Sequence, residues 1–138
     1  MKFTRRDALV LGLGATAVAM LPMRAAAAAE DAIAAFTGGA EMGERGVTLT
    51  APEIAENGNT VPVSVDAPGA ESIILLAAGN PTPNVAQFNF GEAAGSQAAS
   101  TRMRLAGTQD VIAIAKMPDG SFVKASSTVK VTIGGCGG

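Results

Sequence analysis

The fold is decided by the stretch DVIAIAKMPDGSFVKAS, residues 110–126. Two segments with the period of β-strands flank the turn signal PDG. Proline presets one backbone dihedral of a tight turn, and glycine tolerates a positive φ without a steric penalty. Pro118 and Gly120 therefore predict a β-hairpin, with one strand before the turn and one after it.

Further segments with the period of strands lie around this hairpin. They are VTLTA from Val47, TVPVSV from Thr60, SIILLAA from Ser72, VAQFNF from Val85 and STRMRL from Ser100, and the second hairpin strand continues as SFVKASSTVKVTI from Ser121. Turn signals separate them: ENGN at Glu56, DAPGA at Asp66, AGNPTPN at Ala78 and GEAAG at Gly91. Short strands without a long helical period predict an all-β protein, an immunoglobulin-like antiparallel β-sandwich over residues 30–133.

Alternation along the strands predicts the core, because alternate side chains point to the same face of a sheet. The positions selected in this way are Val63, Val65, Leu75, Phe88, Phe90, Met103, Val111 and Val131. Before the strands, the segment EDAIAAFTGG from Glu30 predicts a short N-terminal helix, with acids in its first turn and Gly38 and Gly39 as its stop.

Residues 1–29 predict an export signal peptide. A basic start with Lys2, Arg5 and Arg6 precedes an apolar stretch over residues 8–21, and the alanines at 25–29 provide cleavage sites. The apolar stretch is shorter than the ~20 residues of a membrane-spanning helix. The adjacent arginines in TRRDALV resemble a twin-arginine signal, so we expect export by that route.

Composition excludes several classes of function. The sequence has no histidine and one cysteine, so zinc, haem, copper and iron-sulfur sites cannot be built from this chain alone. Catalytic Ser-His-Asp and Cys-His arrangements are excluded for the same reason. The net charge is −2 and becomes more negative without the basic signal, which disfavours binding to nucleic acid or an anionic membrane. We therefore expect neither a cofactor nor a metal.

The single cysteine, Cys136, lies within GGCGG, flanked by Gly134, Gly135, Gly137 and Gly138. Glycine has no Cβ, so residues 134–138 are predicted to form a flexible arm that extends about 16–18 Å. An odd cysteine in an exported protein indicates an intermolecular disulfide or a reactive thiol. The residues alone leave two interpretations open: a carrier thiol offered to other proteins, or a structural domain that dimerises through a disulfide.

The segment GGCGG, together with APEIAENGNTVPVSV, GNPTPNVAQFNF and RLAGTQDVIAIAKMPDGSF, resembles the SoxY family. Members of that family are sulfur-carrier subunits of the periplasmic thiosulfate-oxidising Sox system, and the resemblance covers essentially the whole mature chain. It implies a periplasmic carrier that is not itself an enzyme. It also implies a heterodimer with SoxZ, and covalent attachment of thiosulfate-derived sulfur to Cys136.

The resemblance further implies three transient partners. SoxXA, a c-type haem enzyme, joins thiosulfate oxidatively to the cysteine. SoxB, a hydrolase, releases the terminal sulfone as sulfate. SoxCD, a sulfur dehydrogenase, oxidises the remaining sulfane sulfur in systems that contain it.

Overall fold

A computed structural model describes residues 27–135 of the chain. Within this range, residues 27–37 form a helix, α1. The strands are β1 (Met42–Gly43), β2 (Thr48–Thr50), β3 (Ile54–Asn57), β4 (Val61–Asp66), β5 (Ser72–Ala77), β6 (Asn84–Asn89), β7 (Ala98–Met103), β8 (Gln109–Lys116) and β9 (Phe122–Ile133). None of the helical structure in these residues is long and apolar enough to cross a membrane.

The hairpin predicted from residues 110–126 joins β8 to β9. The Met117 N–H donates to the Ser121 carbonyl at 2.8 Å, and Gly120 adopts the positive φ of 85° that the turn requires. The Asp119 carboxylate accepts hydrogen bonds from the Ser121 hydroxyl at 2.5 Å and the Ser121 N–H at 2.9 Å. These two bonds stabilise the charged form and hold the pKa of Asp119 below its ordinary value.

Two sheets pack face to face, which confirms the predicted all-β sandwich. The larger sheet has the order β1-β9-β8-β5-β6, with β3 also paired to β9, and the smaller sheet has the order β2-β4-β7. Among the predicted core positions, those buried between the sheets are Val63, Val65, Leu75, Met103 and Val111. The others, Phe88, Phe90 and Val131, are partly buried and pack against the same core.

The helix α1 covers the outer face of the larger sheet. Its side chains Ile33 and Phe36 pack on a second buried cluster that includes Ile74, Ile114 and Phe122. The rings of Phe36 and Phe122 meet edge to face, with centroids 5.6 Å apart and planes at 70°. The larger sheet is therefore buried on both faces, which explains the continuous apolar run in β5.

The helix ends as the sequence predicts but begins earlier. Gly38 has a φ of 66° and donates its N–H to the Ala34 carbonyl at 2.8 Å, so it terminates the helix. At the other end, residues 27–29 are helical and Ala29 is only 4% exposed. The helix thus crosses the signal boundary predicted at residue 29, and that boundary stays a prediction.

Two short strands, β1 and β3, were not predicted, and both pair in parallel with β9. Met42 lies opposite Phe122 at the start of β9, and Ala55 lies opposite Val131 near its end. Strands of two and four residues are too short to show a period, so their partner β9 determines them. The segment ENGN links β3, which belongs to the larger sheet, to β4 in the smaller sheet. A hairpin turn would instead have joined two neighbouring strands of one sheet.

Candidate functional site

The last strand brings the chain to one end of the sandwich. Strand β9 ends at Ile133 and is followed by Gly134 and Gly135. Cys136, Gly137 and Gly138 lie outside the described residues. Attachment of sulfur to Cys136 and the flexibility of residues 136–138 therefore stay predictions, and the site is described through the residues that lead to it.

Gly134 and Gly135 lie against two loops, and Gly135 is buried between them while Gly134 is exposed. The Gly135 N–H donates to the Leu105 carbonyl at 2.8 Å. The Gly58 N–H donates to the Ile133 carbonyl at 2.7 Å, and the Leu105 N–H donates to the Gly58 carbonyl at 2.8 Å. We call Gly58, Leu105 and Ala106 the arm cradle, because backbone atoms of these residues enclose the start of the arm.

The backbones of the arm and the cradle come so close at this contact that glycine is needed on both sides of it. A Cβ on Gly134 would lie 2.3 Å from the Ala106 carbonyl oxygen, and one on Gly135 would lie 2.8 Å from the Gly58 oxygen. A Cβ on Gly58 would lie 2.4 Å from the Leu105 oxygen. Side-chain carbons do not occupy such positions, so glycine is needed here for space.

The flexibility predicted for residues 134–138 stays a prediction, and the structure adds contacts at the start of that segment. Gly135 is buried and hydrogen-bonded to the body of the protein. The sequence showed two glycines before the cysteine, and their effect on chain entropy predicted free motion. Contact with Gly58 and Ala106, which lie far away along the chain, gives the same two glycines a steric role.

A buried polar pair, Asn80 and Gln109, supports the cradle from behind. The Asn80 amide donates to the Arg104 carbonyl at 2.8 Å and accepts from the Ala106 N–H at 2.9 Å. The Gln109 amide donates to the Asn80 side-chain oxygen at 2.8 Å and to the Gly107 carbonyl at 3.0 Å. Asn80 is 3% exposed and Gln109 is 9% exposed. Buried amides with these bonds satisfied fix the backbone of residues 104–107.

Asn80 and Gln109 are determinants of this site that the sequence pattern does not single out. The segment AGNPTPN, which contains Asn80, predicts only a turn, whereas the side-chain bonds of Asn80 join this turn to the loop before β8. The Gly79 N–H also donates to the Gln109 side-chain oxygen at 2.8 Å. A signal was present in the sequence, since Asn80 and Gln109 are amide residues in otherwise apolar or turn segments. A buried amide normally has hydrogen-bond partners, so each could have been expected to bind another part of the fold.

The described residues provide a hydrogen-bonded support at the start of the arm. Among residues 27–135, no group of three or more His, Cys, Asp or Glu side chains could hold a metal ion. The arrangement fixes the residue that precedes the only cysteine of the chain. This defines a β-sandwich protein whose last described strand leads, through the hydrogen-bonded Gly135, into a segment with one glycine-flanked cysteine.

Comparison with known proteins assigns the family. The family described as sulfur oxidation protein SoxY matches residues 33–136. A solved structure of the sulfur carrier protein SoxY from Chlorobium limicola f thiosulfatophilum is 38% identical, with a TM-score of 0.66, and the match covers 75% of this chain and 96% of that one. This chain belongs to the SoxY family, which confirms the resemblance found in the sequence. A comparison with curated proteins returned no match.

The same sandwich occurs in proteins of other function. A superoxide reductase (neelaredoxin) from Ignicoccus hospitalis is 18% identical, with a TM-score of 0.55. That match covers 62% of this chain and 78% of the reductase. At this identity the likeness concerns the fold alone, because one fold supports many different sites.

Proposed function

We propose that this protein is a covalent carrier of sulfur intermediates during thiosulfate oxidation, and that Cys136 is the attachment site. One observation carries the proposal: the family match extends through residue 136 and so includes the only cysteine of the sequence. The anchored Gly135 supports the proposal, because Cys136 is covalently bonded to Gly135, and Gly135 is hydrogen-bonded to the end of the sandwich.

The loading step is an oxidation of the thiol. The Cys136 thiol and thiosulfate form a sulfur-sulfur bond, giving Cys136–S–S–SO3⁻ and releasing one proton and two electrons. The c-type haem enzyme SoxXA accepts the electrons. Cysteine suits this step because its sulfur is polarizable and forms reversible covalent bonds with other sulfur atoms.

Release returns a shorter adduct. SoxB adds water to the terminal sulfur, so that sulfate and two protons leave and Cys136–S–S⁻ remains. Where SoxCD is present, it oxidises this sulfane sulfur with three waters to Cys136–S–SO3⁻, releasing six protons and six electrons. The carrier contributes the bond to sulfur and the position of that bond, and the partners carry out the oxidation and the hydrolysis.

Assembly and export complete the proposal. The carrier forms a heterodimer with SoxZ and works in the periplasm, to which residues 1–29 direct it by the twin-arginine route. Two features support this part: the resemblance of GGCGG and its neighbouring segments to the family, and the TRRDALV segment of the signal.

Intact-mass spectrometry tests the attachment. Incubation with SoxZ, thiosulfate and an excess of oxidised SoxXA, which accepts the two electrons, should raise the mass of this chain by one thiosulfate, and dithiothreitol should remove the increase. Cys136→Ser should prevent it. A matched control combines Cys136→Ser with Ser126→Cys, which places a thiol on an exposed position of β9, and it should stay unloaded.

Absence of an adduct on Cys136 would rule out the carrier role. The alternative function, an exported structural domain that dimerises through a disulfide, predicts a different result. In that case the wild type would run as a covalent dimer that Cys136→Ser abolishes, while thiosulfate oxidation by the reconstituted Sox proteins would be unaffected.

A further inference from the structure

We infer that the arm is latched at Gly135, and that Asn80 and Gln109 are positioning residues that hold the latch in place and thereby set the reach of the Cys136 sulfur. This inference rests on the proposed carrier function and names the residues that control it. The latch is the hydrogen bond from the Gly135 N–H to the Leu105 carbonyl, enclosed by Gly58 and Ala106.

The latch shortens the reach of the thiol. Adjacent Cα atoms lie about 3.8 Å apart, so while Gly135 is held the backbone of residue 136 stays within about 3.8 Å of the sandwich. Release of Gly134 and Gly135 moves the origin of the arm back to Ile133 and adds two residues, or about 7 Å. Holding Gly135 therefore shortens the reach of the Cys136 sulfur by about the length of two residues.

The cradle keeps its shape because buried side chains hold its backbone. Leu105, whose carbonyl accepts the latch bond, lies between two residues that Asn80 binds, Arg104 and Ala106. Gln109 binds Asn80 and the Gly107 carbonyl, so it fixes the far end of the same loop. Removal of either amide takes away hydrogen bonds that hold the backbone of this loop in place. The Leu105 carbonyl would then lose its fixed position under Gly135.

The single cysteine makes the latch measurable. A nitroxide attached to Cys136 of the full chain reports local motion by electron paramagnetic resonance, without thiosulfate or any partner. We expect restricted motion in the wild type and faster motion in Gly135→Ala, Asn80→Ala and Gln109→Ala. Gly107→Ala is the matched control in the same loop, because no atom lies within 4 Å of its Cβ position.

The direction of the change separates the latch from a freely jointed arm. In a free arm, replacing Gly135 by alanine stiffens the backbone and slows the label. In a latched arm, the same substitution breaks the contact and speeds the label. A slower or unchanged label in Gly135→Ala would overturn the inference.

A second comparison separates positioning from general stability. Phe36→Ala removes packing between α1 and the outer face of the larger sheet, in the second cluster, which contains no residue of the arm cradle, so it destabilises the protein without touching the cradle. We expect it to leave the label unchanged. If Phe36→Ala mobilises the label as much as Asn80→Ala does, Asn80 acts only through global stability.

Amide hydrogen exchange tests the latch bond directly in the unlabelled chain. One hydrogen bond of ordinary strength slows exchange of the Gly135 N–H by about 2- to 10-fold relative to a free peptide. Exchange at the free-peptide rate in the wild type would overturn the inference. None of these outcomes depends on whether Cys136 carries sulfur, so the latch and the carrier function can fail separately.

Discussion

Replacing Gly58 with alanine perturbs the contact that ties the C-terminal segment to the rest of the fold. The added Cβ would lie 2.4 Å from the Leu105 oxygen, 2.9 Å from the Gly135 nitrogen and 2.9 Å from a Val131 methyl carbon. Two of these neighbours are backbone atoms in fixed loops and cannot rotate away. The backbone of the arm cradle must therefore separate for alanine to fit.

The expected loss in the free energy of unfolding follows from the hydrogen bonds that break when the cradle separates. Three backbone hydrogen bonds meet here: Gly58 to Ile133, Leu105 to Gly58 and Gly135 to Leu105. At about 0.5–1.5 kcal/mol each, their loss lowers the free energy of unfolding by about 1.5–4.5 kcal/mol. Alanine also reduces the entropy of the unfolded chain, which offsets about 0.4–1 kcal/mol. The expected net loss is about 0.5–4 kcal/mol.

Urea unfolding followed by far-UV circular dichroism measures this loss, since the sequence contains neither Trp nor Tyr as a fluorescence probe. Gly107→Ala is the control, because its Cβ position is open. We expect this control to be as stable as the wild type or more stable by up to about 1 kcal/mol, because the same entropy effect acts there without a clash. If Gly58→Ala proves as stable as Gly107→Ala, the cradle does not hold the chain as described and the steric argument is refuted.

Three further substitutions test the fold. Leu75→Ala removes a side chain that is 1% exposed in the core and should lower the free energy of unfolding by about 2–5 kcal/mol in urea; a loss below 1 kcal/mol would contradict the packing. Phe36→Ala removes the edge-to-face contact with Phe122 and should lower the free energy of unfolding by at least the ~0.5–1.5 kcal/mol of such a ring pair. An unchanged free energy of unfolding would show that α1 does not cover the sheet. Asp119→Asn should remove a stabilising contribution that is present above the unfolded pKa and lost as the pH falls toward the lower folded pKa. Wild type and Asp119→Asn should therefore converge in stability in acid, and a constant difference at all pH values would contradict the assignment.

The main strands were predictable because their periods and turn residues are local. The hairpin at Pro118–Gly120 formed where the turn chemistry placed it, and Val63, Val65 and Val111 are buried as alternation required. The parallel strands β1 and β3 were not predictable in this way. Each is too short to carry a period, and its hydrogen bonds go to β9, which lies far away in the sequence.

The same distinction applies to the helix. Its stop at Gly38 follows from a local rule, and the φ of 66° confirms it. The packing of α1 on the outer face of the larger sheet could not be predicted from a local rule. It depends on which β5 and β8 side chains point outward, such as Ile74 and Ile114. An apolar run in a strand shows that both faces are buried without showing what covers the second face.

The sequence by itself determined that this is a strand-rich, acidic chain without histidine, with one cysteine between glycines and the motifs of the SoxY family. Only the tertiary structure decided what Gly134 and Gly135 do. Local sequence shows that glycine permits flexibility, but it cannot show that Gly58 and Ala106 approach from loops distant in sequence and leave no room for a Cβ. A close approach between remote segments depends on the completed sandwich, so these two glycines have a role that the pattern GGCGG does not reveal.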